Sequence, residues 1–495
     1  MPSEVEVKLG APAGFRMPDL EGVVPGTAGP RPRSLDLRTT YFDTRDLRLA
    51  RWGYSLRHRA GEGWTLKFPN RGSSAALTRA EHLFPANGRR PPAAALDLVR
   101  ALVREDSLEP VAQLKTRRTL YAVSGPEGEL LVEVVDDQVS VIDGRRPARR
   151  FRELEVEMKA PGQEPLMEAV VERLRQAGAG RAHPTSKLMR ALGPRALEAP
   201  EVAVGRLGPD PAPAALVRNA IAASVARLLQ HDPGARVGDD PEDLHQARVA
   251  CRRLRSDLHT FASLLDPEWV AATRDELRWA GGLLGEVRDA EVLRDRLRDR
   301  LESLPGEDRP AGSRLLARLD QARLAARSRL LEGMRSKRYL GLVDRLLSAA
   351  ARPPFVEGSA PTKEALLASV EAPWARLRSR ARDLGPDATD EELHEVRIRA
   401  KRSRYAAEAA APLTARASDF AGAVARLQTI LGEHQDAVLA QRWLREQSRR
   451  VGTRTALVAG ELLAAEGSAA AEARAAWPKA WKAARKRKLR DWMTV

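Results

Sequence analysis

A single cysteine, Cys251, in a chain of 495 residues leaves no material for an intramolecular disulfide or a multi-cysteine zinc site, and fits a reducing compartment. By helical spacing it falls on an apolar face, where it reads as a small buried hydrophobe and not as a nucleophile. Aromatic residues make up 4% of the chain and do not interleave with its basic clusters, as base-stacking modules require, so nucleic acid is a disfavoured partner. No apolar run approaches the roughly 18 residues needed to span a bilayer, and no membrane association is expected. Glu4, Glu6 and Lys8 stand where a secretory signal would carry its basic and apolar regions, so the expected location is the cytoplasm.

What the chain has in excess is positive charge. Lys and Arg number 83 against 67 Asp and Glu, a net charge of +16. Residues 1–200 hold 32 bases and 26 acids, or +6, which leaves 16 − 6 = +10 for the remainder, so the surplus is not a detachable tail. Such a balance attracts polyanions: nucleic acid, anionic membrane or polyphosphate. The length calls for two or three domains, and a hydrophobic content of 43% is enough to fold them.

Residues 1–198 read as one α+β domain. EVEVKL, TTYFDT, YSLRHR, GWTLKF, LTRAEHLF, AQLKTRRTLYAV, ELLVEVVDD, QVSVID and FRELEVEMK are short, mostly alternating and separated by turn residues, which predicts antiparallel strands in a barrel or strongly curved sheet. Helical spacing appears at 92–105 and 164–177. Residues 199–213 are rich in Pro and Gly and read as a linker. From 214 to 490 the pattern is all-helical, with 3.6-residue periodicity.

Within the helical half a twelve-residue block occurs twice, LHQARVACRRLR at 244–255 and LHEVRIRAKRSR at 393–404. His245, Arg248, Arg252 and Arg255 match His394, Arg397, Lys401 and Arg404; at about 100° per residue each set spans an arc of about 80°, one cationic stripe. LLGEVRDAEVL at 283–293 and ILGEHQDAVLA at 430–440 also correspond, at an offset of 147 residues against 149 for the histidines. Near-equal offsets indicate duplication of a whole bundle, with repeats at about 214–345 and 362–490 whose stripes face a shared groove. Arg253, Arg402, Arg288 and His434 are weaker candidates for contact, while Asp289 and Asp436 are expected to orient bases.

In the N-terminal half, residues two apart on a strand share a face. Glu4, Glu6 and Lys8 line one face, as do Arg57 and Arg59, Thr65 and Lys67, Arg79 and Glu81, Lys115 and Arg117, and Glu153, Glu155 and Glu157. Glu133 and Asp137 share another. One such face is ordinarily just solvated, but many in phase around a closed sheet would fill its interior with carboxylates and cations. Such an interior is costly unless ions and ligand occupy it. A polyanion with divalent metal satisfies both sets of charges: the carboxylates suit Mg²⁺ or Mn²⁺, and Arg and Lys neutralise phosphate oxygens.

EVEVK at 4–8 resembles the ExExK signature of the CYTH domain, the triphosphate tunnel metalloenzymes, and LRHR, TLK, TRAE, KTRR, EVVDD, ELEVE and SKL extend the resemblance over about 1–195. It implies an eight-stranded antiparallel tunnel that hydrolyses a triphosphate with metal. Glu4, Glu6, Glu153 and Glu155 would then be metal ligands, with Glu133 and Asp137 as further carboxylates. Lys8, Arg57, Arg59, Lys67, Arg118 and Lys187 would bind triphosphate, with Arg79, Lys115 and Arg117 also candidates. Arg118 conflicts with simple alternation, which selects Lys115 and Arg117, and is kept because Arg118 to Tyr121 matches the family's RxxY context.

The two blocks HxxRVxxRRxR and HxxRIxxKRxR, with their LGE companions, resemble the CHAD domain, which is implied to bind inorganic polyphosphate. The combined expectation is an inorganic triphosphatase tethered to a polyphosphate-binding domain, with polyphosphate granules as a further location. The alternatives are a non-catalytic polyphosphate-binding or granule-associated protein, an organic triphosphatase, or an adenylate cyclase.

Overall fold

The computed structural model describes residues 5–28, 32–69, 81–85, 88, 90–144, 146–181, 185–208, 210–357, 361–385 and 387–493. Glu4 and Arg79 lie outside them. The chain divides into two compact units, Met1–Glu201 and Val202–Val495.

The first unit is built on an eight-stranded antiparallel sheet. Its strands are β1 (Val5–Ala11), β2 (Arg33–Asp43), β3 (Ser55–Arg59), β4 (Gly63–Lys67), β5 (Glu81–Phe84), β6 (Glu109–Ser124), β7 (Leu130–Asp143) and β8 (Arg146–Met158). They are ordered β1-β8-β7-β6-β2-β3-β4-β5. Short helices α1 (Arg48–Arg51), α2 (Ala93–Leu98) and α3 (Arg100–Val103) lie between strands, and α4 (Glu164–Gln176) and α5 (Lys187–Leu192) follow them. The 92–105 segment is therefore two helices, broken at Val99. ELLVEVVDD and QVSVID, expected as separate strands, form the single strand β7.

One face of the sheet is apolar. Leu166, Met167, Val170, Val171 and Leu174 recur along α4 at helical spacing and pack on Leu9, Val132, Val134, Leu154 and Val156. Since neighbours along a strand alternate, this fixes Glu6, Lys8, Glu133, Glu155 and Glu157 on the opposite face. The Ser186 hydroxyl caps α5 by accepting from the Met189 amide, while Leu188 packs with Tyr41, Leu114 and Val139. Together these hold Lys187 at the first turn of α5.

The second unit contains nine α-helices among the described residues. They are α6 (Pro213–Val237), α7 (Pro241–Thr260), α8 (Pro267–Glu302), α9 (Arg309–Arg335), α10 (Lys337–Ala351), α11 (Lys363–Arg382), α12 (Asp390–Ala409), α13 (Ala415–Ser448) and α14 (Thr453–Ala484). Asp240 caps α7, and Thr389 caps α12 through a reciprocal pair with Glu392, so each block's histidine stands five residues after its cap. Ala247, Ala250, Cys251, Leu254 and Leu258 bury one side of α7. Burial pushes the Cys251 thiol up to about 12, which removes it as a nucleophile at neutral pH. The repeats are not separate bodies: Leu297 and Leu301 of α8, Leu315 of α9, Leu444 of α13 and Leu462 of α14 share one core.

Candidate functional site

All eight strands line one cavity of about 270 Å³, so the sheet curls around it. Six of its lining residues are acidic (Glu6, Glu62, Glu81, Glu133, Glu155 and Glu157) and seven are basic (Lys8, Arg57, Arg59, Lys67, Arg118, Lys159 and Lys187), a formal balance of 7 − 6 = +1. Tyr41 is the one aromatic side chain among the described lining residues. Glu6, Glu155 and Glu157 each offer a carboxylate oxygen, all within 4.8 Å of one another. Three hard oxygen donors at that separation fit a divalent cation such as Mg²⁺ or Mn²⁺.

The charges are sorted across the cavity. On the β6–β7–β8 side, Lys187 Nζ lies 2.7 Å from Glu153, 2.9 Å from Asp137 and 2.9 Å from Glu155. Arg118 donates to both Asp137 oxygens at 2.9 and 2.7 Å, and Lys8 meets Glu155 at 2.7 Å and Glu6 at 3.3 Å. Burial alone would raise the Glu155 pKa, but Lys187, Lys8 and Arg118 hold it well below the usual carboxylate range. Burial, reinforced by Glu155, raises that of Glu6 despite Lys8 and Lys67. On the β3–β4 side cations crowd one another: Lys67 is pushed down by burial and Arg57, with Glu81 opposing, and Arg59 is lowered by burial and Arg57. Arg57 Nε is buried without an acceptor.

In the helical unit the two stripes meet. Arg252 Nε donates to the Tyr405 hydroxyl at 2.9 Å, which ties α7 to α12. Arg248, Arg252 and Arg397 act electrostatically on Lys401, and burial together with these three depresses its ammonium to about 7. Arg248 donates to Asp289 at 2.6 Å, and Asp436 acts electrostatically on Arg397. Arg288 acts on His245, whose pKa burial and this charge lower. Three buried nitrogens on the motif residues have no hydrogen-bond partner, His394 Nδ1, Arg397 Nε and Arg288 Nε, although Arg288 Nη1 meets Glu291 at 3.2 Å. A buried guanidinium nitrogen left unpaired is costly in a folded protein and is what an anion would satisfy.

A CYTH domain model matches residues 3–191, and a CHAD domain model matches residues 219–445. The uncharacterized proteins MT2285 and Rv2226 of Mycobacterium tuberculosis are each 33% identical over 486 residues, with 91% of this chain and 90% of theirs covered. The chain belongs to the CYTH–CHAD family. Among solved structures, PptA from Streptomyces chartreusis is 26% identical with a TM-score of 0.47, covering 54% of this chain and 98% of its own. The CHAD domain from the plant Ricinus communis is 27% identical with a TM-score of 0.47, covering 57% and 96%. CYTH domains are metal-dependent triphosphate tunnel domains. No helix of the described residues is long and apolar enough to cross a membrane.

Within the CYTH unit, Glu6, Lys8, Arg57, Arg59, Lys67, Arg118, Glu133, Glu155 and Lys187 come together around the cavity. Asp137 and Glu153 are buried partners of Arg118 and Lys187 and do not line it. Lys115 and Arg117 are corrected: they take the opposite strand phase and line a separate depression with Arg150 and Arg152. Arg118 pairs in register with Asp137 and shares its face. Glu157, Glu62 and Lys159 were not singled out for the site; the alternation that groups Glu157 with Glu155 was the signal available for the first.

Within the CHAD unit, Arg253 is neutralised by Glu408 and Asp257, and Arg404 donates to Glu408 at 2.6 Å, so neither is a free cation of the stripes. His434 is buried and turned away, with Nε2 3.2 Å from Asp390 and 3.3 Å from Arg474. Arg402 stands among Arg274, Arg399, Arg255 and Arg376.

Proposed function

We propose that the CYTH unit hydrolyses inorganic triphosphate to diphosphate and phosphate, and that the CHAD unit binds inorganic polyphosphate. The observation that carries the first reading is the Glu6–Glu155–Glu157 triad set in a cavity with seven cations. Bound to that triad, Mg²⁺ or Mn²⁺ supplies Lewis-acid neutralisation of phosphate oxygens. Lys8, Arg57, Arg59, Lys67, Arg118 and Lys187 hold the remaining oxygens, and their fixed positions stabilise the charge that moves onto the leaving diphosphate. Water attacks the terminal phosphorus in line, the bridging P–O bond breaks, and the water's proton leaves to solvent or product. Asp137 and Glu153 keep Arg118 and Lys187 aimed inward. A cavity of about 270 Å³ with Tyr41 as the one aromatic among its described lining residues favours a small inorganic chain over a nucleotide, whose base would seek a stacking partner.

The polyphosphate reading rests on Arg248, Arg252, Arg397 and Lys401 drawn into one cluster in which Arg397 Nε is buried without an acceptor. Its test is retention on immobilised polyphosphate. The unaltered protein is expected to be held and released by salt, and Arg248→Glu with Arg397→Glu to pass through. Equal retention of both proteins would remove the stripes from the site.

A further inference from the structure

The basic row on α7 runs past the duplicated block. His259 continues His245, Arg248, Arg252 and Arg255 at the next i+4 step, and its surroundings differ sharply from those of its counterpart in the second repeat.

That counterpart, 149 residues on, is Glu408. Glu408 accepts from Arg404 at 2.6 Å, pairs with Arg253, and shares a cavity of about 180 Å³ with Arg227. In the first repeat no carboxylate takes this place. His259 Nε2 instead accepts from Arg376 Nη1 at 3.3 Å, and Arg376 is the counterpart of Arg227 at the same offset, 376 − 227 = 149. Helix α8 adds Arg274 and Arg278, where α13, 147 residues on, has Ala421 and Ala425. The two ends of the pseudo-symmetric pair are thus chemically unequal: one is neutralised, the other is a concentration of cations.

Three of the cations there lack answers among the described residues. Arg255, Arg274 and Arg402 have no ion pair among the described residues, and Arg274 Nε is buried without an acceptor. Asp275, the carboxylate that acts on Arg255, is already paired with Arg278 at 2.7 Å, and Arg399 is paired with Glu395. Burial lowers the Arg402 pKa, and Arg274, Arg399, Arg255 and Arg376 add to this. Like charges held together in this way destabilise the free protein and are relieved by an anion.

We propose that Arg255, Arg274, Arg376 and Arg402 form a second phosphate subsite on one side of the duplicated centre, so that a polyphosphate chain runs from the paired stripes toward α8 and α11. This rests on the polyphosphate reading of the CHAD unit and adds direction and length to it. Short chains fill the centre alone; long chains reach the subsite and bind more tightly.

The test compares short and long polyphosphate fractions on the full-length protein, with fold checked by thermal melting. His259→Glu copies the carboxylate of the second repeat into the first, where it can pair with Arg255 at i,i+4. Arg274→Ser with Arg402→Ser removes cations directly. Either change is expected to weaken long-chain binding about tenfold, or about 1.4 kcal/mol, while short-chain binding moves less than about twofold. His259→Gln is expected to leave both unchanged. Undiminished long-chain affinity in both variants overturns the subsite, as does equal loss for short and long chains. Arg248→Ser with Arg397→Ser should abolish binding of either length. If the unaltered protein binds neither length, the polyphosphate reading itself falls, and the subsite with it.

Discussion

Lys187 meets three buried carboxylates, Glu153, Asp137 and Glu155, within 2.9 Å, and burial notwithstanding they raise its pKa well above the usual range. Lys187→Met should therefore destabilise the CYTH unit by about 3–5 kcal/mol, since it strands charge that the ammonium offset. Denaturant unfolding measures this. No periodicity marks Lys187, and it was legible only through the SKL resemblance; its place depends on the cap at Ser186 and on tertiary packing. Arg118 was ambiguous for a different reason: both phases of KTRR carry charge, so alternation could not choose, and the register with Asp137 decides. Lys401 carries a prediction about pH. Burial with Arg252, Arg397 and Arg248 depresses it to about 7, against a smaller opposing pull from Asp436. A bound polyanion raises that pKa, so binding takes up a proton; affinity is full below about pH 7 and falls as pH rises through the bound-state value, by at most about tenfold per unit. Titration between pH 6 and 9 should show this slope, and Lys401→Arg should flatten it. An identical slope in Lys401→Arg would assign the proton elsewhere.

The glycines of the paired LGE segments show how whole elements place the stripes. A Cβ added at Gly285 would lie 3.6 Å from the Arg248 guanidinium, and one at Gly432 would lie 3.6 Å from Arg397 Nε. Helices α8 and α13 thus offer each arginine a smooth floor. Gly432→Leu should push Arg397 out of line and weaken polyphosphate binding about tenfold, while Gly432→Ala, at ordinary contact distance, should change it little. The duplication that reveals this was plain in the sequence, because two motif pairs kept nearly the same offset. Strand β7 was less legible. Asp136 and Asp137 look like a turn, yet Asp136 receives Arg152 on one face and Asp137 receives Arg118 on the other, so the strand continues through them. The sharing of one core by α8, α9, α13 and α14 was also hidden, because amphipathic periodicity gives the buried face and not its partner.

At the scale of the molecule, the two sites proposed for polyanions lie in separate units and differ in construction. The cavity pairs carboxylates with cations in nearly equal number and suits metal-assisted chemistry; the stripes carry more cations than carboxylates, with Asp289 on Arg248 and Glu408 on Arg404, and suit binding. Glu155→Gln should therefore stop triphosphate hydrolysis and leave polyphosphate retention intact, and Arg248→Ser with Arg397→Ser should do the reverse. Both domain classes were readable from ordered motifs, whereas Glu157 became part of the triad only once β1 and β8 were paired side by side. The central claim is tested most directly by phosphate release from inorganic triphosphate with Mg²⁺ or Mn²⁺. The protein should turn over with either metal and not in chelator, and the Glu6→Gln/Glu155→Gln double variant should lose at least about a hundredfold in rate. Undiminished metal-dependent turnover by that variant, or no turnover by the unaltered protein with any divalent ion, would contradict the account.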